Sequence, residues 1–316
     1  MQASKRALLS LCMLLACLVL APQGNAFDSG AAGFAVSVNG LRIPYKVMGL
    51  TAMPGEALSI QAPEKSRVQA NAGSVTQDGP MRWNWQAPGQ GLVAITVSDA
   101  SGKTMQLNVF VLRPAASVKN GLVDGYRMGD YPQQAYRGFE AYEPPEGFIE
   151  VTPALFDVFL SPHFRLGQFL CKQAPVNGKQ FMLFRPELIL KLETILQRLN
   201  ERGIAADTLF IMSGYRTPHY NHSIGNRKYS RHIYGGAADF FVDVSPRDGR
   251  MDDLNGDGRI DRADAALVYS LVEELSRSRD WQAGGLGEYG VSSSHGPFVH
   301  VDVRGHRARW GRSVRN

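Results

Sequence analysis

The chain has 316 residues, 34 basic and 29 acidic side chains, and a formal net charge of +5. An excess this small does not indicate a nucleic-acid-binding protein, because such proteins neutralise phosphates with concentrated Lys and Arg. Hydrophobic residues make up 44% of the chain. A chain of this length and composition suits a globular protein of about two domains.

The first 26 residues have the pattern of an export signal. Lys5 and Arg6 form a positive start, 7–21 is an apolar run, and 24–26 (GNA) offers small side chains before a cut. Lipid anchoring at Cys17 is the alternative, because 14–17 (LLAC) resembles a lipobox, but the apolar run continues past that cysteine. We therefore predict a periplasmic or secreted protein, with no membrane span after the signal.

Cysteine usage agrees with this view of the mature chain. Cys12 and Cys17 lie in the predicted signal, which leaves Cys171 alone after cleavage. No intrachain disulfide is then possible, so the fold must be held by its core, by bound metal or by both. We expect Cys171 to be a small buried residue.

Residues 27–114 have the pattern of an all-β domain. Residues 34–38 alternate apolar and polar side chains and meet Asn39-Gly40, a strong hairpin signal. Short strands separated by turns are typical of an immunoglobulin-like sandwich. The segment contains no histidine and no clustered ligand residues, which favours a positioning or binding module. Further strands are predicted at 57–61, 81–86, 92–97 and 105–112.

Residues 115–150 are predicted to connect this domain to the next. They contain Gly, Pro and aromatic residues with little periodicity. Disordered segments are poor in aromatic residues, so we expect the connector to pack against a domain.

Residues 151–316 are predicted to form an α+β domain with a small, largely antiparallel sheet. Pro186 suits the first turn of a helix, Gly203 suits its end, and leucine and isoleucine recur between them at helical spacing. Apolar segments at 209–212, 238–244 and 298–303 indicate strands.

Three residues of this second domain form a metal-ligand pattern. His232 is followed seven residues later by Asp239, and a second imidazole, His300, lies on a late apolar segment. Two imidazoles and one carboxylate leave a fourth tetrahedral position on zinc free for water, which is the arrangement of a zinc hydrolase.

The surrounding residues reproduce motifs of a known family. Residues 213–218 (SGYRTP) look like an S-G-Y-R motif, and 298–304 looks like a final ligand strand. Over roughly 155–310 the chain thus resembles the zinc peptidases that include D-Ala-D-Ala carboxypeptidases, dipeptidases and murein endopeptidases. The pattern S-x-H-x-x-G-x-A-x-D is carried by Ser230, His232, Gly235, Ala237 and Asp239.

The resemblance implies a zinc peptidase whose partner is peptidoglycan or its peptides. It places Arg216 beside the metal, where a guanidinium neutralises charge on the substrate or tetrahedral intermediate. Nothing in the sequence predicts an oligomeric state. Expected substrate contacts are Tyr215, Tyr220, Asn221 and Ser230.

The general base is the weakest part of the match. Many members of the family carry Asp or Glu three residues before the last histidine ligand, and this chain has Pro297 there. Asp302, Glu288 and His295 are the substitutes. We place Asp302 first, because it shares a strand face with His300; the alternative is that Asp302 only orients a ligand.

A second metal signal lies between the zinc-ligand strands, at residues 253–264. The segment fits the calcium-loop template, with glycine at position 6 and an apolar helix following it. It predicts structural Ca²⁺, with an acidic turn without metal as the alternative. The expected ligands are Asp253, Asn255, Asp257, Arg259 through its backbone carbonyl, Asp261 and Asp264.

Three functions therefore remain open. The first is an exported zinc peptidase acting on peptidoglycan stem peptides or cross-links. The second is a peptidoglycan-binding protein that uses the same zinc domain without cutting, which Pro297 makes conceivable. The third is a peptidase that acts on unrelated exported peptides. The sequence does not distinguish D,D from L,D bonds, or a carboxypeptidase from an endopeptidase.

Overall fold

The computed structural model describes residues 27–311. The predicted export signal and the Cys17 lipidation alternative lie outside these residues and stay predictions. Within 27–311, no helix is both long enough and apolar enough to cross a bilayer.

The first part of the chain consists of two sheets. One is five-stranded, in the order β2-β1-β4-β7-β6, and the other is four-stranded, in the order β3-β9-β8-β5. Their strands are β1 (Ala31–Val38), β2 (Leu41–Tyr45), β3 (Val47–Ala52), β4 (Ala57–Gln61), β5 (Arg67–Ala70), β6 (Ser74–Gln77), β7 (Arg82–Gln86), β8 (Gly91–Ser98) and β9 (Thr104–Val111).

Buried and exposed side chains alternate along most of these strands, and the buried ones form part of the hydrophobic core. In β4 and β7, every second side chain is buried, as expected for strands with one solvated face. Asn39 and Gly40 turn the chain from β1 to β2 with positive φ angles of 48° and 86°, the geometry that favours Asn-Gly in two-residue hairpins. The pairing of β3 with β9 is parallel. The immunoglobulin-like assignment stays a prediction.

Residues 112–184 follow the two sheets and contain short strands and single 3₁₀ turns. Tyr126 and Met128 are fully buried in the main core, so this part of the connector is packed. The strands are β10 (Arg113–Pro114), β11 (Leu122–Val123), β12 (Tyr126–Arg127), β13 (Gly147–Val151), β14 (Phe159–Ser161), β15 (Phe164–Arg165) and β16 (Gln180–Met182).

The second half is built around a five-stranded sheet in the order β17-β18-β20-β19-β21. Three of its pairings are antiparallel, and β19 pairs with β21 in parallel. Its elements are α1 (Pro186–Glu201), β17 (Phe210–Ser213), α2 (Pro218–Ser223), β18 (Ala237–Phe241), α3 (Arg262–Leu275), β19 (Gly285–Tyr289), β20 (Phe298–Asp302) and β21 (Ala308–Trp310).

Two amphipathic helices cover this domain. Helix α1 begins at Pro186, whose fixed φ and missing N–H suit a first turn, and buries Leu188, Leu192, Leu196 and Leu199. Helix α3 begins after Asp261, whose side chain accepts a hydrogen bond from the Ala263 N–H. It packs against β19 and β20. The helix thereby covers one face of the sheet. The opposite face carries the side chains of Asp239 and His300.

The two halves of the chain share an interface at β3 and β14. A side chain at Gly49 of β3 would lie 2.8 Å from Leu160 and 3.2 Å from Phe184, so glycine is needed for this close approach. The Asn108 side-chain amide donates to the carbonyl of Phe159 across the same interface, at 2.9 Å. The first domain is therefore held firmly against the second.

A histidine bridge joins the start of the described chain to α1. His163 Nδ1 lies 2.7 Å from the buried Glu193 carboxylate, and its Nε2 lies 2.9 Å from the carbonyl of Asp28. Burial disfavours the charged imidazole, but the hydrogen bond and charge of Glu193 outweigh it and raise the pKa of His163 above 6.5. A charged His163 can donate to both oxygens at once.

This bridge predicts that stability falls as pH rises. A group whose pKa is raised on folding contributes stability that is fully present below its unfolded pKa and is lost as pH passes its folded pKa. The melting temperature should therefore decline from pH 6 upward through the folded pKa of His163. His163→Gln should flatten that decline, and Glu193→Gln should do the same. If both variants kept the wild-type slope, the bridge would not be its source.

Candidate metal centre

Three buried side chains converge on the uncovered face of the sheet. His232, Asp239 and His300 each offer one ligand atom, and these atoms lie within 4.8 Å of one another. Asp239 Oδ1 is 2.7 Å from His300 Nδ1 and 3.3 Å from His232 Nε2. Within residues 27–311 this is the one group of three or more His, Cys, Asp or Glu side chains that is this compact.

Strand register and one turn bring the ligands together. Asp239 of β18 lies directly opposite His300 of β20, so both side chains point to the same face. His232 lies on the single 3₁₀ turn Arg231–Tyr234, which ends at Gly235 with a φ of 64°. A Cβ there would lie 2.5 Å from the carbonyl of Leu183. Only glycine allows both this turn and this contact.

The hydrogen bonds of His232 leave one ring nitrogen free for a metal. Its Nδ1 donates to the carbonyl of Gly214 at 2.7 Å, so Nε2 is the unprotonated nitrogen of the neutral ring. Burial lowers the pKa of His232. A neutral imidazole of fixed orientation is the form that binds zinc.

Asp302 is a hydrogen-bond partner of His300. His300 Nε2 lies 3.2 Å from Asp302 Oδ2, on the side of the ring opposite Asp239. Asp302 is fully buried and also accepts hydrogen bonds from the Gly285 N–H and the Arg304 side chain. Burial favours the protonated form, but His300 and Arg304 hold the pKa of Asp302 well below its usual range. The alternative reading of Asp302 thus fits the structure better than the base.

Arg216 is paired with the ligand carboxylate. Its Nη2 lies 2.5 Å from Asp239 Oδ2, and its Nε donates to Ser213 Oγ at 2.8 Å. Burial opposes ionisation of Asp239, yet His232 and His300 hold its pKa well below the usual range. The resemblance placed this arginine beside the metal, and the structure brings it to the same carboxylate.

The two remaining base candidates lie on different faces. Glu288 lies opposite Val299 in the β19–β20 pairing. Val299 and His300 are neighbours in the strand, so their side chains point to opposite faces. The Glu288 Oε1 atom accepts a hydrogen bond from Arg262 Nε of α3 at 2.6 Å. It is therefore on the helix-covered face, away from the ligands. His295 packs on Phe298, with ring centroids 4.9 Å apart, and Phe298 shares the ligand face.

Two of the expected substrate contacts are internal. Tyr215 is 2% exposed, and its hydroxyl lies 2.8 Å from that of Tyr131. Asn221 is also buried and donates to the carbonyl of Arg227. Both side chains are engaged within the fold, which removes them as direct contacts in this structure. Tyr220 and Ser230 are half-buried, and their roles stay predictions.

An aromatic wall on the ligand face was not foreseen from the sequence. The Trp310 ring lies 5.0 Å from that of His300, and its Nε1 donates to the Tyr289 hydroxyl. Trp310 fits because Gly285 and Gly287 have no side chains; a Cβ at either would lie within 2.8 Å of its ring atoms. Glycine at alternate positions of a strand was the available signal.

The connector reaches the ligand turn. Tyr131 donates its hydroxyl hydrogen to the Ile233 carbonyl at 2.8 Å and accepts from Tyr215, so it ties the His232 turn to the 213–218 motif. Tyr142 packs against Tyr234 with ring centroids 5.6 Å apart. The connector therefore supports the turn that carries His232.

The acidic loop at 253–264 does not support the calcium prediction. Asp253 accepts from the Gly256 and Gly258 N–H groups, and Asp264 accepts from those of Leu254, Asn255 and Asp261. The Asn255 and Asp257 side chains likewise accept loop amides, Asp257 that of Arg259. Asp261 caps α3. The loop acids therefore bond their own backbone, and no compact cluster forms among them in residues 27–311.

Comparison with known proteins identifies the domain. Residues 162–251 match the Peptidase M15 family, which confirms the resemblance to zinc D-Ala-D-Ala carboxypeptidases. The match contains Arg216, His232 and Asp239 and ends before His300. No curated protein and no solved structure matches the chain. Residues 162–251 are therefore similar to an M15 metallopeptidase domain.

Asp302→Asn should weaken zinc binding about 10- to 100-fold, the usual effect of losing a partner that orients a ligand. The amide can still accept from His300 but carries no charge. Competition with a chromogenic chelator measures the affinity, and His300→Ala is the reference for a lost ligand. Wild-type affinity combined with a large loss of turnover would instead restore Asp302 as the base.

Asp264→Ala should destabilise the protein by at least about 2 kcal/mol, because three backbone N–H groups lose their acceptor. Asp257→Ala is the control, because it removes the acceptor of the exposed Arg259 N–H. It should change the free energy of unfolding little. Denaturant unfolding in chelator and in calcium measures both. A wild-type stability that rises on adding calcium would revive the calcium site.

Proposed function

We propose that this protein is an exported zinc peptidase that hydrolyses peptide bonds in peptidoglycan stem peptides or cross-links. The observation that carries the proposal is the buried cluster of His232, Asp239 and His300, each held by a partner beyond the ligand atoms. The M15 match supports the reaction type, and the family resemblance supports the substrate class.

The residues fit zinc by their chemistry. Two imidazole nitrogens and one carboxylate oxygen form the ligand set of catalytic zinc sites that keep a position open for water. The carbonyl of Gly214 fixes one imidazole and Asp302 fixes the other. Zinc bound there would act as a Lewis acid and would lower the pKa of its bound water to about 7.

The protein groups around the ligands set the charge for the reaction. Arg216 pairs with the carboxylate of Asp239, which also faces both imidazoles. Its guanidinium therefore lies where negative charge on a peptide oxygen would develop. A preorganised cation in a site sheltered from water stabilises that charge by several kcal/mol. The half-buried Trp310 and the buried Phe298 supply this shelter.

Proton transfer is assigned here to His295. Asp302 and Glu288 are held by Arg304 and Arg262 respectively, and Pro297 has no proton to exchange. His295 is half-buried on the ligand face, with Nδ1 toward the Gly296 carbonyl. Its Nε2 is thus the nitrogen available to take a proton from water and deliver it to a leaving amine.

The competing function is a binding protein that holds peptidoglycan without cutting it. Pro297, in place of the usual acid, is the observation that favours it. Both functions require zinc, so metal content does not separate them.

Turnover decides between the two. Zinc-loaded protein lacking the predicted signal is incubated with purified muropeptides, and the products are identified by mass spectrometry. We expect cleavage that is absent in Asp239→Ala and in apoprotein. Retention of muropeptides on the protein without any cleavage would establish the binding function instead. The product masses also identify the bond that is cut.

His295→Ala should lower kcat by about two to four orders of magnitude, the usual contribution of a general acid–base group, and should keep zinc. His222→Ala, a change of an exposed histidine, is the control. An unchanged kcat in His295→Ala would remove His295 from the mechanism.

A further inference from the structure

A buried arginine beside the ligand turn lacks partners for two of its donors. Arg231 is 2% exposed, and its Nη1 donates to the carbonyl of Ala141. Its Nε and Nη2 have no hydrogen-bond partner among the residues that the structure describes. Buried polar groups in native proteins are nearly always hydrogen-bonded, so these two donors require an explanation.

Aromatic packing accounts for only part of this environment. The Arg231 guanidinium lies over Tyr142 and Tyr234, with distances of 4.5 and 5.0 Å to the ring centroids. Such contacts use the flat faces of the guanidinium. The unpartnered N–H groups point outward in its plane and are not satisfied by the rings.

Two further arginines lie close by. A Cβ built on Gly236 would be 2.7 Å from Arg231 Nη2 and 3.4 Å from Arg185 Cδ. Arg185 Nε is also buried without a partner, and within residues 27–311 its guanidinium forms no ion pair. The third, Arg304, is paired with Asp302. Of these three guanidinium groups, only that of Arg304 has a carboxylate partner within residues 27–311.

Arg185 and Arg304 line a pocket of about 310 Å³, and Glu140 and Glu187 line the same pocket. The two glutamates would repel a ligand that carries only negative charge. The arginines would repel a ligand that carries only positive charge. A group that carries both charges is attracted at both ends, so the lining selects for a zwitterion.

We propose that this pocket binds the zwitterionic head group of an amino acid, with its carboxylate at Arg185 and Arg304 and its ammonium toward Glu140 and Glu187. A planar guanidinium pairs with a carboxylate through two parallel hydrogen bonds. The ligand carboxylate gives Arg185 the anionic partner that it lacks, and a small shift on binding lets it accept from the unpartnered Arg185 Nε–H.

The pocket adjoins the metal centre through Asp302. That carboxylate accepts from the Arg304 side chain on one side and from His300 on the other. A peptide bound at the centre could place in the pocket a residue whose side chain ends in both an amino and a carboxyl group. This role as a substrate subsite rests on the proposed function, whereas the binding chemistry does not.

Binding is tested without turnover by NMR titration of zinc-loaded protein labelled with ¹⁵N. The probes are alanine, N-acetylalanine and alaninamide, which carry both charges, only the carboxylate, and only the ammonium. We expect alanine to shift the Arg185 Nε–H signal and the Val303 amide saturably, with the other two at least about tenfold weaker. Arg185→Gln should abolish saturation, and Arg250→Gln, an equal charge change at an exposed arginine, should preserve it.

Three outcomes would overturn the proposal. One is no saturable shift with alanine, and another is equal affinity for all three probes. The last is a set of shifts confined to the amides of His232 and His300, which would place alanine on the metal. Because no cleavage is measured, failure of the pocket is distinguishable from failure of the peptidase assignment.

Discussion

The carboxylate of Asp239 is the group on which the catalytic half of the molecule depends. It is buried, and a buried carboxylate is costly unless it is paired on every side. One oxygen faces both imidazoles and the other faces Arg216. The pairing of β18 with β20, the turn after Ser230 and the segment after β17 each deliver one partner. The sheet register is therefore also the register of the metal site.

A second layer of contacts fixes the directions of these partners. The Gly214 carbonyl and the Asp302 carboxylate determine which nitrogen each imidazole offers, and Tyr131 joins the two loops that carry Arg216 and His232. Tyr131 lies in the connector, whose composition suggested only a packed linker. Its hydroxyl makes the connector part of the support of the site.

Local patterns predicted much of this structure. Helix α1 and strand β4 were predicted nearly to the residue, because proline, glycine and alternation are local signals. Strand β3 was missed, because a strand buried against a neighbouring domain lacks alternation. The clustering of His232, Asp239 and His300 followed from motif spacing. The position of Glu288 on the helix-covered face depends on strand register, which spacing alone does not give.

The same limit explains the other differences. Tyr215 belongs to a motif that resembles a substrate-facing segment, yet its burial depends on Tyr131, 84 residues earlier. The loop at 253–264 satisfies a metal template by composition, but its carboxylates bond to nearby amides. Asp and Asn side chains bind cations and cap backbone turns with the same oxygens. A one-dimensional template cannot separate the two uses.

The hydrogen-bonded loop and α3 also have a consequence for how the site assembles. Asp239 and His300 are 61 residues apart in the chain, and joining two positions so distant costs chain entropy that grows with the flexible length between them. The capped loop and the helix after it fold through contacts between near neighbours. Once formed, they shorten the flexible part of the intervening chain. The loop and α3 together thus form an ordered spacer that reduces the flexible length between Asp239 and His300.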